Sequence, residues 1–286
     1  MGQCEYCGRS AGFGKNVHAD CQERHARAVA QIPEFFPKFF KSDLSLARFA
    51  ELLRGASEAS FVRPDELSEL AARGLADVAK RMIEHHLPGA ADTQRLRDVA
   101  RTLAPMMTRD ILPHEMLAKI EILHQLEAGQ VPDIVSVAGP MPIALAAGES
   151  VIWIFNDVTC FRDAAGPDGA PAHAGIAPVA LSFSAAAYYA PSAFRASVLR
   201  EAQLLQDATG DLVVTNGNLF FVNGTVETRR IPLARITALA AYANGINLAC
   251  DQTTGETRQS FSLADSWFAA NMLVRLLSLA RLARAS

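Results

Sequence analysis

A chain of 286 residues, half of them hydrophobic and a fifth charged, is long enough for two or three domains and apolar enough to bury a core in each. Its formal net charge of −3 excludes a protein dominated by a phosphate-binding charge field. The most apolar stretch, residues 134–155, is cut by Pro140, Pro142, Gly148 and Glu149, so a transmembrane segment of about 20 unbroken apolar residues is not expected.

The first twenty-one residues carry Cys4-x-x-Cys7, ten intervening residues, and His18-x-x-Cys21. Thiolates and an imidazole at this spacing are ligands for a tetrahedral Zn²⁺, and four protein ligands leave no position for water or substrate. The expectation is therefore a structural metal site, with no catalytic residue and no organic cofactor site assigned. His25 is the rival fourth ligand, because it lies one helical turn beyond Cys21 on the same face. Polar residues occupy the position where the apolar region of a signal peptide would sit, so a cytoplasmic location is expected. There, clustered cysteines more often hold metal than form disulfides, whereas Cys160 and Cys250 read as isolated buried thiols. Gly8, Gly12 and Gly14 supply turns for a zinc knot over residues 1–30. Arg9, Lys15, Arg24 and Arg27 alternate with Glu5, Asp20 and Glu23, which places nucleic acid behind a protein as the expected partner.

Residues 31–132 read as a helical domain. Phe35, Phe36, Phe39 and Phe40, interrupted by Pro37, read as a linker that packs its rings between domains. Leu44, Leu46, Phe49, Leu52 and Leu53 mark a first apolar helical face ending at Gly55, and Pro64-Asp65-Glu66 opens a second helix that Gly74 weakens in its middle. A third is expected over residues 93–106. A fourth runs from Pro113 through Leu126 and stops at Gly129. His85, His86, His114 and His124 read as surface or partly buried side chains rather than a second metal site.

Residues 133–286 change period. A buried strand is expected over 151–155, another over 179–189, and short β-rich runs at 212–214, 219–222, 226–231, 236–242, 246–250 and 259–261. Asn216-Gly217, Asn223-Gly224 and Asn244-Gly245 separate several of these runs and predict hairpins with type I′ turns, whose central residues need positive φ. A further turn is expected at Thr254-Gly255. Asp265 reads as the N-cap of a closing helix with Trp267, Met272, Leu273, Leu276 and Leu277 on its apolar side, and Trp267 is expected to plug the sheet. Arg275, Arg281 and Arg284 read as cations complementing the end of that helix.

The pattern Val213-Val214-Thr215-Asn216, Leu219 and Phe221, Ile231-Pro232-Leu233 with Ile236, Asn244-Gly245-Ile246 with Leu248, and Asp265 with Trp267 resembles the bacterial pleckstrin-homology-like and GRAM-like group. The knot resembles treble-clef or ribbon-like zinc modules, and the helical middle is similar to tellurite-resistance-type helical domains. Together these imply an α+β multidomain protein: a small zinc knot, a helical domain, and an antiparallel bent sheet or partly open barrel closed by one helix. No catalytic constellation stands in the sequence, so the expected role is non-enzymatic binding of another protein, with a membrane surface or, through the zinc module, nucleic acid as the alternative. The usual cations of a lipid-reading turn are replaced here by Gly217 and Asn218.

Overall fold

The computed structural model of the chain describes residues 2–132, 143–162, 179–183, 187–199, 205–223, 226–251 and 258–285. They form two compact units, residues 1–118 and 119–286, with the division falling inside one helix. The α+β multidomain architecture read from the sequence is present.

The first unit begins with a two-stranded antiparallel ribbon, β1 (Gly2–Gln3) and β2 (Ser10–Gly12), and then enters α1 (Ala19–Phe40). That helix is the main departure from expectation. It runs without a break past residue 30 and contains Pro33 and Pro37, so Phe35–Phe40 is helix rather than linker. Each proline lacks the N–H that would bond the carbonyl four residues earlier. The carbonyl of Val29, opposite Pro33, instead accepts a hydrogen bond from Arg73 Nη2 at 3.3 Å. Phe36 and Phe39 point into the core, where both rings meet Phe49.

α2 (Leu46–Ala59) is capped by Ser45, whose hydroxyl accepts from the Arg48 N–H, and continues through Gly55. Leu52 lies off its buried face and is exposed, while Phe49 and Leu53 are buried. α3 (Pro64–Ile83) has proline and acids in its first turn, as expected, and packs on α1. Gly74 does not weaken α3 so much as permit that packing. A Cβ there would lie 2.8 Å from Phe36 Cγ and 3.0 Å from the Pro33 carbonyl, the same carbonyl that Pro37 leaves without an N–H. α4 (Ala90–Leu103) continues into a 3₁₀ turn at Ala104–Met106, and α5 (His114–Glu127) ends before Gly129, whose φ is +76°. The expected histidines are exposed or half-buried, and His86, His114 and His124 face Asp92, Asp110 and Glu127.

The second unit is an eight-stranded antiparallel sheet in the order β4-β8-β9-β10-β3-β5-β6-β7, open between its edge strands. The strands are β3 (Val151–Arg162), β4 (Val179–Ala180), β5 (Leu205–Thr215), β6 (Asn218–Asn223), β7 (Val226–Pro232), β8 (Ile236–Tyr242), β9 (Gly245–Cys250) and β10 (Arg258–Ser262). β3 does not stop at Phe155. It passes through a bulge between Phe155, opposite Leu212, and Val158, opposite Gly210, with Asp157 at φ 55°, and runs on to residue 162. Such a bulge bends a strand and adds twist. Of the run at 179–189, Val179 and Ala180 are the strand residues among those described, and a 3₁₀ turn follows at Pro191–Phe194. The turn at 254–255 lies outside the described residues, as does Gly224 of the second Asn-Gly step.

At the first and third Asn-Gly steps the hairpins form, but not with the expected turns. Asn216, Gly217, Asn244 and Gly245 all lack positive φ. Gly245 is instead the first residue of β9, where a Cβ would collide with the Phe261 carbonyl of β10. The Asn216 amide accepts from Ser150 N at 3.1 Å and donates to the Gly148 carbonyl at 3.0 Å. Asn244 bridges the N–H and carbonyl of Leu199 in the same way.

α6 (Ser266–Ala285) closes the unit and is buried on all sides from Ser266 to Ser278. Asp265 caps it, accepting from the Phe268 N–H at 3.1 Å. Trp267 is buried, but the ring set against β3 is Phe268, which meets Trp153 edge-on at 4.9 Å and Phe155 at 6.0 Å. Arg275 also differs from expectation: it is 1% exposed, donates to the Asn271 carbonyl at 3.1 Å and lies 4.0 Å from Glu127. Arg281 sits over the Phe183 ring, and the Arg284 side chain lies outside those described. Cys160 is buried and Cys250 half-buried. Among the described residues no helix is long and apolar enough to cross a membrane.

Two outcomes test this packing. Gly74→Ala gains about 1 kcal/mol of helix propensity but overpacks the Phe36 contact at about 1–3 kcal/mol, so a lower urea midpoint is expected; a raised midpoint would show that α1 and α3 are not in close approach. The second concerns Glu149, which clasps the β5–β6 turn by accepting from Thr215 Oγ1 and Asn218 Nδ2, both at 2.6 Å, and from Ala146 N at 2.9 Å. Burial pushes its pKa up, but the Thr215 hydroxyl, the Ala146 N–H, the Asn218 amide and the Arg230 charge outweigh burial and hold it below 4.5. A depressed folded pKa stabilises above the unfolded value and is lost as pH falls through the folded one. Glu149→Gln should therefore cost about 1–2 kcal/mol at neutral pH, discounted for partial solvation, and cost less in acid as the pH falls through the depressed folded pKa. A penalty equal at neutral and acid pH would mean that the carboxylate charge contributes nothing.

Candidate metal centre

The knot brings together the four side chains singled out by spacing. Cys4 leaves β1 into a tight turn in which Gly8 N–H bonds the Cys4 carbonyl at 2.8 Å and Cys4 N–H bonds the Arg9 carbonyl at 2.7 Å. Gly8 closes that turn at φ +68°, a conformation that L side chains resist. Cys7 lies in the turn, His18 is the N-cap of α1, and Cys21 is in its first turn. His18 is thus not on the helix with Cys21 but immediately before it, in extended backbone, and the ring still reaches the same point.

The ligand atoms of Cys4, Cys7, His18 and Cys21 all lie within 4.8 Å of one another. His18 Nδ1 is 3.4 Å from Cys7 Sγ and 3.8 Å from Cys21 Sγ. For bonds of about 2.3 Å to sulfur and 2.0–2.1 Å to nitrogen, a tetrahedral ion sets this edge at about 3.6 Å. The Cys3His cluster can hold a metal ion. Cys4 and Cys21 are buried, Cys7 and His18 half-buried, and Tyr6, Val17 and Phe61 pack around them.

The imidazole is oriented by a contact the spacing does not reveal. His18 Nε2 is 2.9 Å from the Ser10 carbonyl in β2. A carbonyl only accepts, so Nε2 carries the proton and Nδ1 presents its lone pair to the thiols, which is how metal-bound histidines are held. The same bond, followed by that to Cys7, raises the His18 pKa. Burial pushes the Cys4 thiol up, but the N–H groups of Cys7, His18 and Tyr6 and the Cys7 thiol outweigh it and bring the pKa to about 6. Cys21 is raised, by burial first and then by the neighbouring Cys7 and Cys4. Cys4 therefore forms a thiolate readily while Cys21 resists doing so until a cation balances the charge, so metal binding must release protons.

His25 is directed elsewhere. Its Nε2 is 2.9 Å from Glu66 Oε2 on α3, and its ring lies 4.8 Å from that of Tyr6. Sequence spacing also gave no sign of Arg24, whose Nη2 lies 4.0 Å from Cys21 Sγ while its guanidinium sits over Phe61.

The chain matches no family model, no curated protein and no solved structure, and the case for its chemistry rests on these side chains. Purified protein should contain one equivalent of a bound metal ion. His18→Ala should lose the metal and His25→Ala should keep it, as read by elemental analysis after gel filtration. Metal lost from the His25 variant and kept in the His18 variant would reverse the assignment, and no stoichiometric metal in the parent protein would remove the metal site.

Proposed function

We propose that the chain is a non-enzymatic cytoplasmic binding protein whose knot is held by a structural zinc ion at Cys4, Cys7, His18 and Cys21, and whose sheet unit is of the pleckstrin-homology-like, GRAM-like kind. The observation that carries the reading is the ligand count. Three thiols and one imidazole fill a tetrahedral ion, which leaves no open position for water or substrate and gives the metal a folding role. The mixed sulfur and nitrogen set favours Zn²⁺ over the harder divalent cations.

The strand order supports the pleckstrin-homology-like reading of the second unit. From Val151 to Ser262 the chain forms two meanders, β3-β5-β6-β7 and β8-β9-β10, joined by the pairing of β10 with β3, and an N-capped helix follows. Such a bent sheet presents turns and edges to a partner, and a protein is the partner this reading takes. The turn between β5 and β6 carries no cation, so anionic lipid is not expected to be held there.

Affinity capture with the zinc-loaded full chain in extract of its native host should retain a protein in stoichiometric amount, and Cys4→Ser should lose it. Sedimentation with phosphatidylserine vesicles at physiological salt should leave the chain in the supernatant. Strong salt-sensitive pelleting would replace the protein partner by a membrane surface, and turnover of any substrate by the zinc-loaded chain would overturn the non-enzymatic reading.

A further inference from the structure

The helical unit contains a second candidate site, unrelated to the metal cluster. A cleft of about 520 Å³ lies between the C-terminal half of α4 and the segment that leads into α5. Its floor is apolar, with Ala100 and Ile111 buried and Met107 half-buried. Three cations edge it: Arg97 and Arg101, one turn apart on α4, and Arg109 from the following segment. The volume falls within the range of about 300–1,000 Å³ usual for small-molecule sites, which pair an apolar floor with a few polar groups.

The segment bearing Arg109 is held in place before any ligand arrives. Thr108 N–H donates to Ser68 Oγ at 2.9 Å, and the fully buried Ser68 hydroxyl donates to the Pro64 carbonyl at 2.7 Å. The acid in the lining, Asp110, is already committed: one oxygen accepts from Leu112 N–H at 2.9 Å and the other is 2.7 Å from His114 Nε2. Those contacts, the Leu112 N–H first, hold its pKa below the usual value. The arginines are less committed. Arg101 and Arg109 face Asp98 and Glu69 in solvent-exposed pairs of 3.1 and 3.4 Å, and Arg97 makes a contact of 3.5 Å to the Thr93 hydroxyl. Exposed pairs of this kind are weak and give way to a better anion.

We infer that this cleft binds a phosphate monoester carried on an apolar body. Guanidinium groups match phosphate oxygens two at a time, three of them suit a dianion better than a single carboxylate, and the apolar floor requires a body beyond inorganic phosphate. This site stands independently of the zinc and partner-binding readings.

Phenyl phosphate is the soluble probe. Calorimetry on the full chain should give a submillimolar Kd, with inorganic phosphate about tenfold weaker for want of the apolar body. Arg97→Gln and Arg101→Gln should each weaken phenyl phosphate about tenfold or more, while Arg81→Gln, an exposed cation of α3 outside the cleft, should leave it unchanged. If an α4 variant fails to fold, Arg109→Gln, on the segment beyond the helix, carries the same test. A parallel arm uses phosphatidic acid vesicles against phosphatidylcholine vesicles. Arginine-dependent binding to phosphatidic acid alone supports the site with a lipid as the source of the monoester, and arginine-dependent binding of phenyl phosphate supports it with a soluble one. Binding in neither arm, binding unaffected by the arginine variants, or inorganic phosphate as tight as phenyl phosphate would overturn it.

Discussion

The first unit depends on α1 remaining one helix through two prolines. At 1.5 Å per residue, 22 residues span about 33 Å, so one rigid element carries Cys21 at its start and Phe39 near its end. The metal cluster and the helical core are then two ends of one element. The cost of the prolines is met by α3. Arg73 bonds the carbonyl that Pro33 strands, and Gly74 admits the Phe36 ring and the Pro33 carbonyl to the surface of α3. Four residues on two helices settle whether the knot stands on a core or on a linker.

The second unit shows a recurrent device of its own. Asn216, Asn244 and Asn271 each turn a side-chain amide toward a distant backbone, accepting from an N–H and donating to a carbonyl: at Ser150 and Gly148, at Leu199, and at Tyr189. A primary amide has the donor and acceptor of a peptide unit, so it stands in for one rung of a strand where no strand is available. Irregular segments at 148–150, 187–190 and 197–199 are secured to the sheet and its helix in this way, and their backbone groups are satisfied without extending the sheet.

This explains what could and could not be read from the sequence. The Cys3His cluster was legible because cysteine and histidine spacing is a local signal, and the helices opening at Pro64 and Asp265 were legible because capping chemistry is local too. The first and third Asn-Gly steps marked the hairpins correctly for the wrong reason: asparagine serves there as a two-sided amide, and Gly245 serves to admit the Phe261 carbonyl. α1 was hidden because proline is a breaker unless a neighbouring helix repairs the ladder, and that neighbour lies some forty residues away in sequence. The Ser10 carbonyl that orients His18 carries no sequence signal, since every residue has one.

Buried cations tie the later turns of α5 to α6. Lys119 is 7% exposed, pairs with Asp265 at 2.6 Å, and sits over the rings of Trp153 and Phe268. Asp265 thus answers two demands with its two oxygens, capping α6 through one and neutralising Lys119 through the other. Near the other end of α5, Glu127 faces Arg275, whose pKa burial lowers and the Glu127 charge partly restores. A charge taken out of water is tolerated only where its partner stands, so these two pairs fix the rotation and the register of α5 against α6 together. Apolar periodicity alone would have assigned α5 to the helices that precede it. From Lys119 onward the helix belongs to the unit that holds the sheet, and its charges at Lys119 and Glu127 pair with Asp265 and Arg275 of that unit.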